Sequence, residues 1–336
     1  MKALLSIDPG GPETLVLSEL DPPQPGPGQV RLRVEACAIN YPDVLIIEDR
    51  YQVKPPRPFA PGGEVAGIVD ALGEGVEGWA IGDRAIAVTA YGGLAEQVVV
   101  DSVRLHCLPA DCRAVDGASL LLTYATVLHA LADRGRLAEG ETLLVLGAAG
   151  GIGLAAIEIG RLLGARVVAA VSSEDKAAAA REAGAAETVI YPRGPFEAAA
   201  LRALSGQFKQ AVGEQGANVI LDPVGGDYAE AALRSIAWEG RYLVLGFAAG
   251  LPSIPLNLPL LKSCDICGVF YGAHALREPE HNRAAVQRLI GWLRDGSIKP
   301  HISGEFALAD APAAIARLAA RAVVGKLVVT MPAAPE

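Results

Sequence analysis

Seven residues near the middle of the chain, Gly147-Ala-Ala-Gly-Gly-Ile-Gly153, have the types and spacing to hold a phosphate. Lacking a side chain, Gly150 lets the backbone approach a pyrophosphate, and Gly153 lets a following helix pack tightly on the preceding strand. The free N–H groups and positive dipole end of a helix N-terminus favour an anion there. Ala149, Gly150, Gly151 and Ile152 are the residues placed to bind it. The first position of G-x-G-x-x-G is Ala148, with Gly147 just before it, and such a turn also occurs without a ligand. Its surroundings favour the nucleotide. The apolar run 143–146 reads as a strand buried on both faces, an Ala-rich helix extends to about residue 163, and a second apolar run spans 166–171. A membrane span over 142–157 is too short and too rich in glycine, and Glu158 and Arg161 break it.

Selection of NAD calls for a carboxylate at the end of the second strand, to hold the ribose 2′-hydroxyl. Ser172 and Ser173 stand there instead, with Lys176 one turn on and Tyr191 and Arg193 past the next expected strand. Hydroxyls and a cation accept a 2′-phosphate, so the expected cofactor is NADPH. Glu174 and Asp175 argue the other way, but acidic residues are also what the first turn of a helix favours.

The elements that must position these residues fall into three stretches. Residues 1–120 are β-rich, with short strands expected over 15–20, 29–37, 67–72, 84–88 and 96–100, cut by glycine and proline turns, and a short helix over 43–49. Helical periodicity takes over at 118–132, and then strands (142–146, 166–171, 188–190, 218–222, 241–245, 265–270) alternate with helices, including 196–212 and 228–237. That alternation predicts a doubly wound parallel sheet over 121–270. The segment 271–336 (helix 283–293, strand 301–306, helix 309–320, strand 326–329) is expected to return to the first domain, leaving a cleft between the two.

At 336 residues with 51% hydrophobic content, the chain can bury a large core and build two domains. A net charge of −9 and a pI near 5.2 disfavour nucleic-acid and anionic-membrane partners. The N-terminal residues have no signal-like apolar region and the five cysteines are odd in number, so a cytoplasmic protein is expected. Cys264-Asp-Ile-Cys267 has metal-like spacing, but Cys107 and Cys112 are remote in sequence; the cysteines read as small apolar fillers, and no metal is expected.

Several further segments carry a resemblance: Gly26-Pro-Gly-Gln-Val30, Asn40-Tyr-Pro-Asp-Val-Leu45, Pro61-Gly-Gly-Glu-Val-Ala-Gly67, Gly73-Glu-Gly-Val76, Gly82-Asp-Arg84, Asp222-Pro-Val-Gly-Gly226, Gly240-Arg241 and Gly325-Lys326. With the glycine turn, they make the chain similar to the zinc-independent quinone oxidoreductases of the medium-chain dehydrogenase/reductase superfamily, the group that includes zeta-crystallin and acryloyl-CoA reductase. The resemblance implies a Rossmann-type α/β domain beside a β-rich, GroES-like catalytic domain. In zinc-dependent members a cysteine ligand falls where Asn40 stands, and a Gly-His-Glu triplet supplies a histidine where this chain reads Gly62-Gly63-Glu64.

By the same resemblance, hydride passes from NADPH to an acceptor that is electrophilic on its own: a quinone, enone, enal or enoyl thioester. Asn40 donates to the developing oxyanion, unless it serves as a turn residue before Pro42; Asp43 caps the following helix. Tyr51 faces cofactor and substrate, although Asp49 stands where the family has glycine. Thr126 lies near the nicotinamide carboxamide or simply packs in its helix. Gly246, Phe247, Gly268, Val269 and Phe270 serve the nicotinamide half, with core packing as the rival for Phe270. Lys326 falls at the nucleotide cleft or is a solvated strand-start lysine. Arg50, Lys54 and Arg57 are candidate anchors for a CoA thioester, the alternative substrate beside a 2-alkenal. A homodimer through the last strand of the sheet is implied. A non-catalytic NADPH-binding protein is the rival of another class.

Overall fold

The computed structural model describes residues 1–192, 194 and 196–332, so Arg193 lies outside the described residues. The chain divides into two compact units, Met1–Leu122 with Ile290–Glu336, and Thr123–Leu289.

The first unit is built on a seven-stranded sheet. Its path runs Ile302–Ala307, Lys326–Thr330, Gln29–Ile39, Glu64–Leu72, Arg84–Val88 and Leu105–Cys107, with Gln97–Asp101 pairing separately to Gln29–Ile39. All pairings are antiparallel except the one between the two C-terminal strands. Gln29–Ile39 alternates strictly at first: Val30, Leu32, Val34 and Ala36 are fully buried, while Arg31, Arg33 and Glu35 face outward. This is the period-2 pattern that commits one face of a strand to the core. At Gly67 the partner strand comes so close that a Cβ would lie 2.3 Å from the Arg33 carbonyl oxygen, and only glycine fits. The strands Lys2–Leu5 and Leu105–Cys107 are too short for periodicity to reveal.

In the second unit six parallel strands stand in the order Glu187–Ile190, Arg166–Val171, Thr142–Val145, Ala217–Asp222, Ile236–Val244 and Asp265–Gly268. Numbered along the chain this is 3-2-1-4-5-6, the doubly wound dinucleotide order, whose direction reverses beside Thr142–Val145. Leu143 through Leu146 are fully buried, as a strand covered on both faces requires. The expected helix over 228–237 is too long. The helix is Asp227–Leu233, and the next strand begins at Ile236, five residues before its expected start. Ile236 and Ala237 look helical in isolation, but Ile236 pairs with Ala217 through a register shift in the ladder. The unit also extends to Leu289, past the boundary expected at residue 270, and the division falls within helix Pro279–Asp295.

From Ala114 to Arg134 the chain is helical, with π-type turns at Leu121–Ala125 and His129–Arg134. By length and composition this stretch could cross a membrane, yet most of it is buried within the protein, as in a core helix.

Candidate active site

In the second unit, Gly147 adopts a left-handed φ of +59° and makes the turn, which explains why the glycine spacing begins one residue early. Gly150 ends the turn in extended conformation, and helix Gly151–Leu162 starts directly after it. A Cβ on Gly150 would come no closer than 3.5 Å to any neighbour, the Gly147 carbonyl oxygen, so the turn is not crowded there. At Gly153 a Cβ would lie 2.5 Å from the Ala148 backbone, so helix and turn touch there. The first N–H groups of the helix have no intrahelical acceptor, so Gly151 and Ile152 present donors beside Ala149 and Gly150. This cradle fits a dinucleotide pyrophosphate.

Beyond strand Arg166–Val171, Lys176 Nζ donates to Ser172 Oγ at 3.3 Å, which brings the two expected 2′-phosphate residues together. Glu174 is drawn along its helix to Arg181, 2.5 Å away. Tyr191 differs from expectation. Its ring is buried, centred 4.9 Å from Tyr228 and edge-on to Phe208, so it is a core side chain before anything else. Gly246 and Phe247 follow the C-terminal end of Ile236–Val244, while Gly268, Val269 and Phe270 close and follow Asp265–Gly268. Phe270 is 62% exposed, which removes core packing as its explanation, and Phe247 is exposed too. Thr126 is half-buried at the start of its own helical turn.

In the first unit, strand Gln29–Ile39 runs into Asn40, and helix Tyr41–Ile47 begins at once. Asp43 closes this start: its Oδ2 accepts the Asn40 N–H at 2.7 Å and its Oδ1 the Gly62 N–H at 3.0 Å. Burial pushes the Asp43 carboxyl up to about 6, against those two N–H groups and the nearby Lys326 ammonium, which favour the anion.

The Asn40 amide is not a free donor. Its Nδ2 donates to the Ala38 carbonyl at 3.2 Å and to Glu64 Oε2 at 3.0 Å, while Oδ1 accepts from Lys326 Nζ at 2.5 Å. Flipping the amide would set its oxygen against a carboxylate and its NH2 against an ammonium, so the orientation is chemically determined. Both N–H bonds are spent inside the protein, and the expected oxyanion contact has no donor left to make it.

Lys326 also needs correcting. It is only 4% exposed, not solvated, and its ammonium reaches Asn40, Glu64 at 3.3 Å and the Ile39 carbonyl at 3.4 Å. Three protons meet three acceptors, so a nucleotide contact is not what this side chain is built for. Glu64, fully buried, accepts the Leu122 N–H on its other oxygen at 2.8 Å. In the sequence Glu64 is only part of a glycine-rich motif, because its partner Lys326 lies 262 residues away.

Tyr51 is half-buried against the core, and its hydroxyl has no hydrogen-bond partner among the described residues. Burial, and then the Asp43 carboxylate, raise its pKa, so the phenol keeps its proton at neutral pH. Two residues earlier, Asp49 adopts the left-handed φ of +57° that a glycine would take, and Arg57 Nη2 grips its carboxylate at 2.7 Å. The loop thus has the glycine-type conformation without the glycine. The same guanidinium donates to Ile47 and Ser6, and Arg50 pairs with Glu48 at 2.9 Å, so two of the three candidate CoA anchors, Arg57 and Arg50, have protein partners.

Comparison with known proteins agrees with this geometry. Residues 151–289 match the zinc-binding dehydrogenase family, and residues 26–110 match the alcohol dehydrogenase GroES-like domain. Quinone oxidoreductase-like protein 2 of Rattus norvegicus is 36% identical over 95% of this chain and 89% of its own. The chain belongs to the quinone oxidoreductase-like medium-chain dehydrogenases/reductases. Among solved structures of this family, mycobacterial Rv1454c in complex with NADPH superposes with a TM-score of 0.90 at 29% identity, over 98% of this chain and all of its own. The Escherichia coli quinone oxidoreductase in complex with NADPH gives 0.87 at 26% identity, with coverage of 98% and 100%.

Catalytic zinc, which the name of one matching family implies, does not fit this chain. Asn40 and Gly63 occupy the two ligand positions, and a Cβ on Gly63 would already sit 3.2 Å from the Ala90 carbonyl oxygen. The Lys326 ammonium, held between Asn40 and Glu64, would repel a second cation.

Proposed function

We propose that this chain is an NADPH-dependent reductase that delivers hydride to a quinone or an activated carbon–carbon double bond without a catalytic metal. The observation that carries the reading is the Ser172–Lys176 pair at the end of the second strand of the dinucleotide sheet, with Glu174 turned away to Arg181. Hydroxyl and ammonium suit a 2′-phosphate, which a carboxylate at that place would repel.

NADPH supplies the hydride. The glycine turn and the first N–H groups of helix Gly151–Leu162 hold the pyrophosphate, while Phe247 and Phe270 offer apolar faces to the nicotinamide half. Asn40 positions the loop through Lys326 and Glu64. Tyr51, protonated and without a hydrogen-bond partner among the described residues, is the group that hydrogen-bonds the oxygen on which charge develops. An acceptor that is electrophilic on its own needs no Lewis acid.

The strand Asp265–Gly268 ends the sheet with Asp265, Ile266 and Gly268 exposed, and nearby Leu256, Leu260 and Leu261 are exposed too. An open edge flanked by leucines favours pairing with a second copy, so a homodimer is part of the proposal. Sedimentation of the wild type and of Leu260→Glu tests it: a monomeric wild type would refute it.

The activity is tested by NADPH oxidation with a quinone, a 2-alkenal and acryloyl-CoA in parallel, with NADH as control. Turnover with a quinone or alkenal and a preference for NADPH is expected. Tyr51→Phe should lose at least tenfold in kcat, and a loss under about threefold, less than one kcal/mol of barrier, would remove Tyr51 from the mechanism. Binding of NADPH with no turnover on any acceptor would refute the reductase and favour a binding protein.

A further inference from the structure

Four side chains that the reductase chemistry does not use converge inside the second unit. His129 and Asp133 stand one turn apart on the helical segment His129–Arg134, His274 lies on helix Tyr271–Arg277, and His281 lies on helix Pro279–Asp295. The Asp133 Oδ2 atom is the hub: it is 2.7 Å from His129 Nδ1, 3.1 Å from His281 Nε2 and 3.9 Å from His274 Nε2. His129 and His274 stack with ring centroids 3.9 Å apart and planes 14° apart, and His281 meets His274 edge-on at 5.3 Å. His129 is nearly buried, His274 partly so, and His281 is exposed.

Hydrogen bonding accounts for only part of this. The Asp133 oxygen can accept from His129 and from His281, but His274 is too far for a hydrogen bond to it. An uncharged imidazole carries a lone pair on one ring nitrogen, the form in which it ligates a metal. Potential ligand atoms of His129, Asp133 and His274 all lie within 4.8 Å of one another. Around a four-coordinate ion with bonds of about 2.0–2.1 Å, neighbouring ligand atoms stand roughly 3.3 Å apart. The distances from the hub, 2.7 to 3.9 Å, straddle that spacing; closing the shell takes a turn of the stacked His129 and His274 rings, so that their lone pairs converge, and an inward swing of the exposed His281.

We propose that His129, Asp133 and His274, with His281 as fourth ligand, form a binding site for a divalent transition-metal ion. Imidazole nitrogen with one carboxylate suits Zn2+, Ni2+ or Cu2+ and disfavours Mg2+ and Ca2+, which take oxygen shells. The ion ties the segment His129–Arg134 to the two helices that follow Phe270, so its role is to hold that end of the nucleotide-binding unit together. Its ligands are different residues from Asn40 and Gly63, the positions that the resemblance assigns to zinc ligands in zinc-dependent relatives.

The test uses the full chain, freed of metal by a chelator and titrated with Zn2+, with Mg2+ as control. We expect one Zn2+ bound per chain, a rise of several degrees in the unfolding midpoint at saturation, and no response to Mg2+. His274→Ala should weaken Zn2+ binding at least tenfold. His281→Ala, at an exposed position that leaves the fold intact, should weaken it also, and NADPH binding confirms that each variant is folded. Substitution of Cys264 and Cys267 by serine should leave the affinity unchanged. Absence of stoichiometric binding, or an affinity that survives in both histidine variants, overturns the proposal.

Discussion

The Lys326 ammonium lies 2.5 Å from Asn40 Oδ1, and this contact, with the Glu64 carboxylate on the NH2 side, determines which way the amide at the end of strand Gln29–Ile39 points. Lys326 begins the strand that pairs antiparallel with Gln29–Ile39, with Leu327 opposite Ile39. The lysine is therefore held by a ladder before its side chain makes any bond. Glu64, on another strand paired with Gln29–Ile39, completes a buried group of one cation, one anion and one amide.

Removing one charge of that group strands the other. Lys326→Met should cost about 3–5 kcal/mol of unfolding free energy, because the Glu64 carboxylate stays buried without its cation. Lys326→Met combined with Glu64→Gln should recover part of that loss. Urea unfolding of the three proteins measures it, and a single variant as stable as the wild type would contradict the account.

Asp43 predicts a pH dependence of stability. Its carboxyl titrates near 6 in the folded chain, raised from 3.8 by burial, so the folded state holds the proton more tightly than the unfolded one. A raised carboxyl contributes most at low pH, and its contribution falls by about 2–3 kcal/mol as pH rises from about 4 to about 6. Asp43→Asn has no such titration but sets an NH2 against a backbone donor, so it is less stable throughout. The stability difference between wild type and variant, measured at pH 4 and pH 7, should therefore be larger at pH 4.

At Asp49 two effects oppose one another. Asp49→Gly relieves the left-handed backbone but loses the Arg57 ion pair, whose carboxylate is 44% exposed, so the net change should stay within about 1 kcal/mol. Asp49→Ala keeps the strained φ and loses the pair, and should cost about 1–2 kcal/mol. Thermal unfolding of the two variants separates strain from charge.

In the nucleotide cradle, Ser172→Ala with Lys176→Ala should weaken NADPH binding about tenfold, ~1.4 kcal/mol, and leave NADH unchanged. Equal losses for both cofactors, read by fluorescence titration, would dismiss the 2′-phosphate pocket.

Gly153→Val tests the contact between helix and turn. Its Cβ would enter at 2.5 Å from the Ala148 backbone, which cannot yield without opening the turn. Loss of cofactor binding together with at least 2 kcal/mol of stability is expected, whereas Gly150→Ala, whose Cβ would meet only ordinary contact at 3.5 Å, should fold and lose mainly affinity.

The nucleotide half was legible in the sequence because its signals are local. An apolar run of four, a glycine turn and an Ala-rich helix each reflect backbone geometry over a few residues, and the absence of a carboxylate at Ser172 follows from residue type alone. What the tertiary structure decided is the choice of partners for polar side chains. Lys326 and Asn40 are 286 residues apart, and nothing in either neighbourhood indicates that a strand pairing will bury them together. His129 and Asp133 show helical i, i+4 spacing, but His274 and His281 reach them only through packing between helices. Likewise Ile236 turned from helix to strand once Ala217 was beside it. Backbone preference acts over one or two turns of chain, whereas desolvation of a charge depends on everything the fold places around it.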